Sequence, residues 1–133
     1  MKRRTKICII VLIVILTLLV IGTLIFNRLN REIEEMMLIE ITEINLLDVE
    51  DGVYVGSYEI TLIQVEVKVT VAQHEIVEIQ LLKHQSGQGG PAEAILFEVI
   101  NAQSLHVDHI SGATYSSHVI LLAIENALSQ APS

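Results

Sequence analysis

Asp108-His109-Ile110-Ser111-Gly112-Ala113-Thr114, followed by Tyr115-Ser116-Ser117, lies between two stretches of helical apolar periodicity. Ala92, Ile95, Leu96, Val99 and Ile100 form the stripe before it; Val119, Ile120, Ala123, Ile124, Ala127 and Leu128 form the one after. The stretch reads as a tight loop opening the last helix, expected over residues 115–128. Thr114 falls at the N-cap, with Ser116 and Ser117 in the first turn. A helix start has backbone N–H groups without partners and the positive end of the helix dipole. That combination is a ready phosphate site, with the Thr114 hydroxyl beside the phosphate.

Upstream, residues 62–72 alternate, with Val65, Val67, Val69 and Val71 on one side and Glu66, Lys68 and Thr70 on the other. A period of two with one apolar side predicts an antiparallel strand with one buried and one wet face. Residues 76–82 read as the returning strand, with Val77, Ile79 and Leu81 inward. Ala72-Gln73-His74-Glu75 is the turn between them, although it lacks the Gly or Asn that such turns favour. Asp51-Gly52-Val53-Tyr54-Val55-Gly56 reads as a turn leading into a first strand. The glycines of Ser86-Gly87-Gln88-Gly89-Gly90-Pro91 permit close backbone approach to a ligand; equally, the run is a connection with Pro91 at the first helical position. The fold class is α+β: a small antiparallel sheet packed with two helices, preceded by an N-terminal transmembrane helix.

That first helix follows from residues 7–26, twenty positions without a charge, preceded by Lys2, Arg3, Arg4 and Lys6. Twenty helical residues cross about 30 Å of hydrocarbon. A cleaved signal peptide has a shorter apolar stretch and a small-residue cleavage site, and none follows Phe26. The segment reads as an uncleaved signal anchor, and the basic residues before it place the N-terminus inside and the bulk outside. All 16 acidic residues follow Phe26 against 4 Lys/Arg, a formal charge of −12. Such a domain does not bind nucleic acid through phosphates. With Cys8 alone, an internal disulfide is excluded. Ile33, Met37, Ile41 and Ile44 recur at helical spacing among Glu32, Glu34, Glu35, Glu40 and Glu43, which predicts an amphipathic stalk. The organisation is then a cytoplasmic basic tip and membrane anchor over 1–26, a stalk over 27–50 and a domain over 51–133.

The pattern Asp108-x-x-Ser111-Gly112-Ala113-Thr114 resembles the flavinylation motif of the FMN-binding domain family. That family includes the peripheral flavin subunits of sodium-pumping NADH:quinone reductases and of Rnf-type electron-transfer complexes. At roughly 1 in 15 per residue type, five fixed positions match by chance in a few windows per million. The similarity extends over about residues 51–128: D-G-x-Y-x-G at the start, then Leu81-Leu82-Lys83-His84, Asn101-Ala102-Gln103-Ser104 and Ala127-Leu128. It departs where Gly56 runs straight into Ser57-Tyr58-Glu59-Ile60, since family members often carry further glycines there.

The resemblance implies FMN bound covalently, its phosphate joined to Thr114 as a phosphoester by a flavin transferase that reads the sequence around Asp108. Ser111, Gly112, Ala113, Ser116 and Ser117 would line the attachment point, with Gly89 and Gly90 approaching the flavin. The function implied is that of a membrane-anchored, extracytoplasmic electron carrier, fed by a membrane oxidoreductase or a quinol-linked donor. Two alternatives remain: an FMN-bearing component of a membrane or surface reductase complex, and a non-redox surface interaction domain that has kept the fold.

No Lys or Cys stands near Thr114 to make it an enzyme nucleophile, and no catalytic residue is assigned. His109 and His118 flank the motif; either could be read as a base, but the simpler reading of both is a solvent-exposed side chain, and of Asp108 a turn carboxylate. No two of the five histidines have a recognised ligand spacing beside a carboxylate cluster, so no metal is expected. A covalent link suits a site outside a cell. Even a nanomolar complex, about −12 kcal/mol, empties when free ligand is diluted away.

Overall fold

Valine at every second position makes residues 63–72 a strand, and the same alternation places the sheet's core. A computed structural model describes residues 2–85 and 90–132. The order is α1 (Lys2–Met37), β1 (Gly52–Ile60), β2 (Ile63–Ala72), β3 (Glu75–Gln85), α2 (Ile95–Ala102) and α3 (Thr114–Ser129). Short 3-10 turns occupy Leu46–Asp48 and Gly90–Ala94. The strands form an antiparallel meander in the order β1-β2-β3. Ser86, Gly87, Gln88 and Gly89 of the glycine-rich run lie outside the described residues.

Ile63, Val65, Val67, Val69 and Val71 are buried on one face of β2, while Gln64, Glu66, Lys68 and Thr70 are half-buried on the other. Tyr54, Gly56 and Tyr58 of β1 pair with Val69, Val67 and Val65 and share the buried face. There α3 crosses. A Cβ on Gly56 would run into the backbone of Ala123 and Ala127, so glycine lets helix and strand meet at backbone distance. Residues 116–124 of α3 are all buried. A helix apolar on one stripe is thus enclosed on nearly every side, by the sheet on one and by the chain around residues 39–42 on the other.

Val77 departs from expectation: it points outward and is 51% exposed, while Ile76 is buried in its place. Val71 pairs with Ile76 and Thr70 with Glu78, so Val77 is an extra residue, and Leu82 is another between the pairs Val67–Leu81 and Glu66–Lys83. Each bulge shifts the inward-outward parity by one residue. The second brings His84 onto the inner face opposite Val65, with its side chain only 5% exposed.

The β2–β3 turn places Gln73 and His74 at φ 55° and 60°. Two consecutive left-handed residues are the signature of a type I′ hairpin, which Asn-Gly would serve best. Outside contacts hold this turn instead. The His74 N–H donates to Asp51 Oδ1 at 3.2 Å, and His74 Nδ1 lies 3.1 Å from the Val49 carbonyl. The backbone N–H groups of Gln73 and His74 hold the Asp51 carboxyl below its ordinary range.

Helix α1 continues unbroken past Phe26 and ends at Met37. Met36 is buried in the core and Ile33 and Met37 pack against it. Ile41 and Ile44 also pack on the core, but from extended chain, so the helical spacing expected through Ile44 stops at Met37. The extended run lies along α3, with the Thr42 N–H donating to Glu125 Oε2 at 3.2 Å.

Candidate functional site

The loop before α3 is built by backbone geometry and one buried hydroxyl. The Ala113 N–H donates to the Ile110 carbonyl at 3.0 Å, closing a four-residue turn. Gly112, third in that turn, sits at φ +78°, the left-handed value a type II turn demands there. Ser117 Oγ, fully buried, accepts from the Ile110 N–H at 3.0 Å and fastens the loop to the first turn of α3.

Ala113, not Thr114, is the N-cap: its carbonyl accepts the first helical bond, from the Ser117 N–H at 2.9 Å, and its φ of −137° is not helical. Thr114 is therefore the first helical residue. It is exposed, and its hydroxyl is not used in capping. Among the described residues, the N–H groups of Thr114, Tyr115 and Ser116 have no acceptor. They stand with the exposed hydroxyl at the positive end of a 16-residue helix. A phosphate fits this arrangement, because free donors and dipole favour an anion beside the hydroxyl.

Ser111 and Gly112 are exposed beside Thr114, and Ala113 is buried beneath them. Ser116 and Ser117 are buried, with Ser117 engaged by Ile110. Asp108 is exposed and makes no hydrogen bond among the described residues, so the turn it was expected to cap is closed by Ile110, Ala113 and Ser117 instead. Gly90 is exposed at the start of the 3-10 turn that packs against α3; Gly89 lies outside the described residues. His84 Nδ1 meets Glu93 Oε1 at 3.0 Å, joining the end of β3 to that turn from the two sides of the glycine-rich run.

The histidines depart most from expectation. His118 is only 6% exposed, and His109 is partly buried. His109 Nε2 lies 3.2 Å from His118 Nδ1, and His118 Nε2 lies 3.0 Å from the Ile39 carbonyl. A carbonyl only accepts, so His118 Nε2 carries the proton. Its Nδ1 is then an acceptor for the His109 Nε2–H. Burial pushes the His118 pKa down; the charge of His109 adds to this, while the Ile39 and Met36 carbonyls and Glu125 oppose it. Nothing in the helical periodicity marks His118 as buried, because the chain covering it comes from 79 residues away.

A second polar cluster fastens the same two segments together. Ser104 Oγ donates to Glu43 Oε2 at 2.8 Å, and His106 lies 3.3 Å both from Glu43 and from the Ile41 carbonyl. Gln103, left-handed at φ 49°, spends its side chain on the backbone of β3: the Ile76 N–H donates to Oε1 at 2.7 Å and Nε2 donates to the Ile76 carbonyl at 2.8 Å. No group of three or more His, Cys, Asp or Glu that could hold a metal occurs among the described residues.

The family model described as FMN-binding domain matches residues 63–129. The chain belongs to the FMN-binding domain family. The matched range runs from β2 to the end of α3 and contains the whole 108–114 motif; β1 completes the sheet from outside it. No curated protein matches the chain. The chain is thus an FMN-binding domain behind a helix long and apolar enough to cross a membrane, with a mean hydropathy of 3.3 in its most apolar window and none of that window buried.

Proposed function

We propose that this chain is a membrane-anchored flavoprotein that holds FMN through a phosphoester to Thr114 and carries electrons at the outer face of the membrane. The observation that carries the reading is the exposed Thr114 hydroxyl, beside three unpaired N–H groups, at the end of an Asp-x-x-Ser-Gly-Ala-Thr loop in a family that binds FMN. The chemistry a bound flavin supplies is electron transfer by its isoalloxazine ring. The protein supplies an attachment point that leaves this ring unmodified. A flavin transferase is required for maturation, and the electrons come from a membrane oxidoreductase or quinol-linked donor.

The continuity of α1 supports an uncleaved anchor. The helix does not end at the membrane edge but runs on to place Ile33, Met36 and Met37 on the domain core. Eleven helical residues from Phe26 to Met37 advance about 16 Å. The domain is therefore confined close to the membrane, where a short tether gives an effective concentration of order millimolar towards a membrane partner. The basic residues before the span favour an outer location for the acidic domain.

Intact-mass analysis of protein purified from its native membrane tests the attachment. The peptide containing Thr114 gains the mass of FMN less one water. Thr114→Ala abolishes the gain and leaves the fold intact, since an exposed side chain without a hydrogen bond alters stability by only about 0.5 kcal/mol. Flavin retained by Thr114→Ala through denaturing electrophoresis refutes the attachment. Protease added to intact cells removes the acidic domain and spares the anchor; full protection, with protease access verified, reverses the topology. The purified flavinylated domain oxidises NADH negligibly without a partner, and rapid turnover alone would make it an enzyme in its own right.

A further inference from the structure

Three segments distant in sequence meet at two imidazole rings. His109 belongs to the motif loop, His118 to the second turn of α3, and Ile39 to the chain two residues beyond the end of α1. The chain of donors runs in one direction: His109 Nε2–H to His118 Nδ1, and His118 Nε2–H to the Ile39 carbonyl. The ring centroids are 5.3 Å apart at 66°, an edge-on contact consistent with a hydrogen bond and not with stacking. A cleft of about 380 Å³ borders the pair, lined among others by Met37, Ile39, Glu40 and His106, and lets water reach the rings.

We propose that His109 and His118 are positioning residues that latch the 108–114 loop, and with it Thr114, to the chain leaving the membrane helix, and that this latch holds one proton but not two. With both rings neutral the donors and acceptors match. With one proton they still match, because one charged ring donates to the bare nitrogen of the neutral one. With two, an N–H on each ring faces the other across 3.2 Å with no acceptor between them, and the bond breaks. Burial of His118 and the charge of His109 oppose the second proton, while the Ile39 and Met36 carbonyls and Glu125 favour it. Glu40 borders the cleft, Glu43 is engaged with His106 and Ser104, and Asp108 is exposed beside His109, so among the described residues no carboxylate lies within hydrogen-bond distance of either ring. The consequence for Thr114 rests on the attachment proposed above; the latch itself does not.

Amide hydrogen exchange of the full chain in detergent micelles, read residue by residue by NMR and normalised to the intrinsic rate at each pH, tests the latch without any flavin. Protection of the Ile110 and Ala113 amides is expected to fall at least tenfold between pH 7.5 and pH 5. His118→Gln keeps a donor for Ile39 and an acceptor for His109 but does not titrate, and is expected to remove the pH dependence while retaining protection. His109→Leu, which leaves the His118–Ile39 bond in place, is expected to show the low protection at both pH values even if His118→Leu fails to fold. Wild-type protection that does not change with pH, a His118→Gln profile like that of the wild type, or full protection in His109→Leu would each overturn the latch. Attachment is read separately from the mass of the Thr114 peptide, so failure of one is distinguishable from failure of the other.

Discussion

Gly56→Ala adds a single methyl group where the structure has no room for it. Backbone atoms of Ala123 and Ala127 occupy the position the Cβ would take, and backbone cannot swing aside as a side chain can. To restore van der Waals distance, α3 must retreat from β1 by roughly 1 Å. The retreat opens the seam formed by Val67, Val69, Ala123, Ile124 and Ala127, all fully buried. Overpacking typically costs about 1–3 kcal/mol, and a backbone clash belongs at the upper end. A domain of this size has about 5–15 kcal/mol in all, and each kcal/mol moves Tm by about 4–8 °C. Gly56→Ala is therefore expected to lower Tm by roughly 15 °C. Near-UV circular dichroism reads this through Tyr54 and Tyr58, which pack against the core, without interference from α1, which contains no tyrosine. Gly112→Ala is the control: its Cβ would meet nothing within 4 Å, and only the left-handed φ opposes it, at about 1 kcal/mol. A Gly56→Ala melt within about 3 °C of the wild type, or a smaller loss than Gly112→Ala, would refute the close crossing of α3 over β1.

Ser117→Ala removes the acceptor for the Ile110 N–H and is expected to cost about 1–2 kcal/mol in chemical denaturation, with faster exchange at the Ile110 amide. Gln103→Ala strips both backbone hydrogen bonds from Ile76 and is expected to cost about 2–3 kcal/mol in the same assay. Gln73→Asn, which suits the left-handed conformation better, is expected to stabilise the hairpin by about 0.5 kcal/mol, visible as a higher Tm. For pH, the folded pKa of His118 lies below its ordinary 6.5, so the unfolded chain binds the proton more tightly. Its contribution to stability is complete above 6.5 and is lost as pH falls below it; denaturant midpoints across pH 5–8 should show this slope in the wild type and not in His118→Gln.

The motif loop, the alternation of β2, the apolar stripe of α3 and the uncharged span of α1 could all be read from residues close together in the chain, because each rests on a local period or a short motif. Local periodicity could not reach the rest. A bulge at Val77 turned that residue outward and Ile76 inward, with Ile79 and Leu81 inward as read, and a second at Leu82 turned His84 to the inner face; both depend on the register against β2. Thr114 lost the N-cap to Ala113 by one residue, through the choice of the carbonyl that accepts the Ser117 N–H. Gly56 reads as a strand glycine until α3 is laid across it, Gln103 as a loop residue until its side chain meets Ile76, and His118 as an exposed histidine until residues 39–42 cover it. Each of these joins segments separated by tens of residues. Their proximity is set by packing the whole core at once, and no local stretch of the chain encodes it.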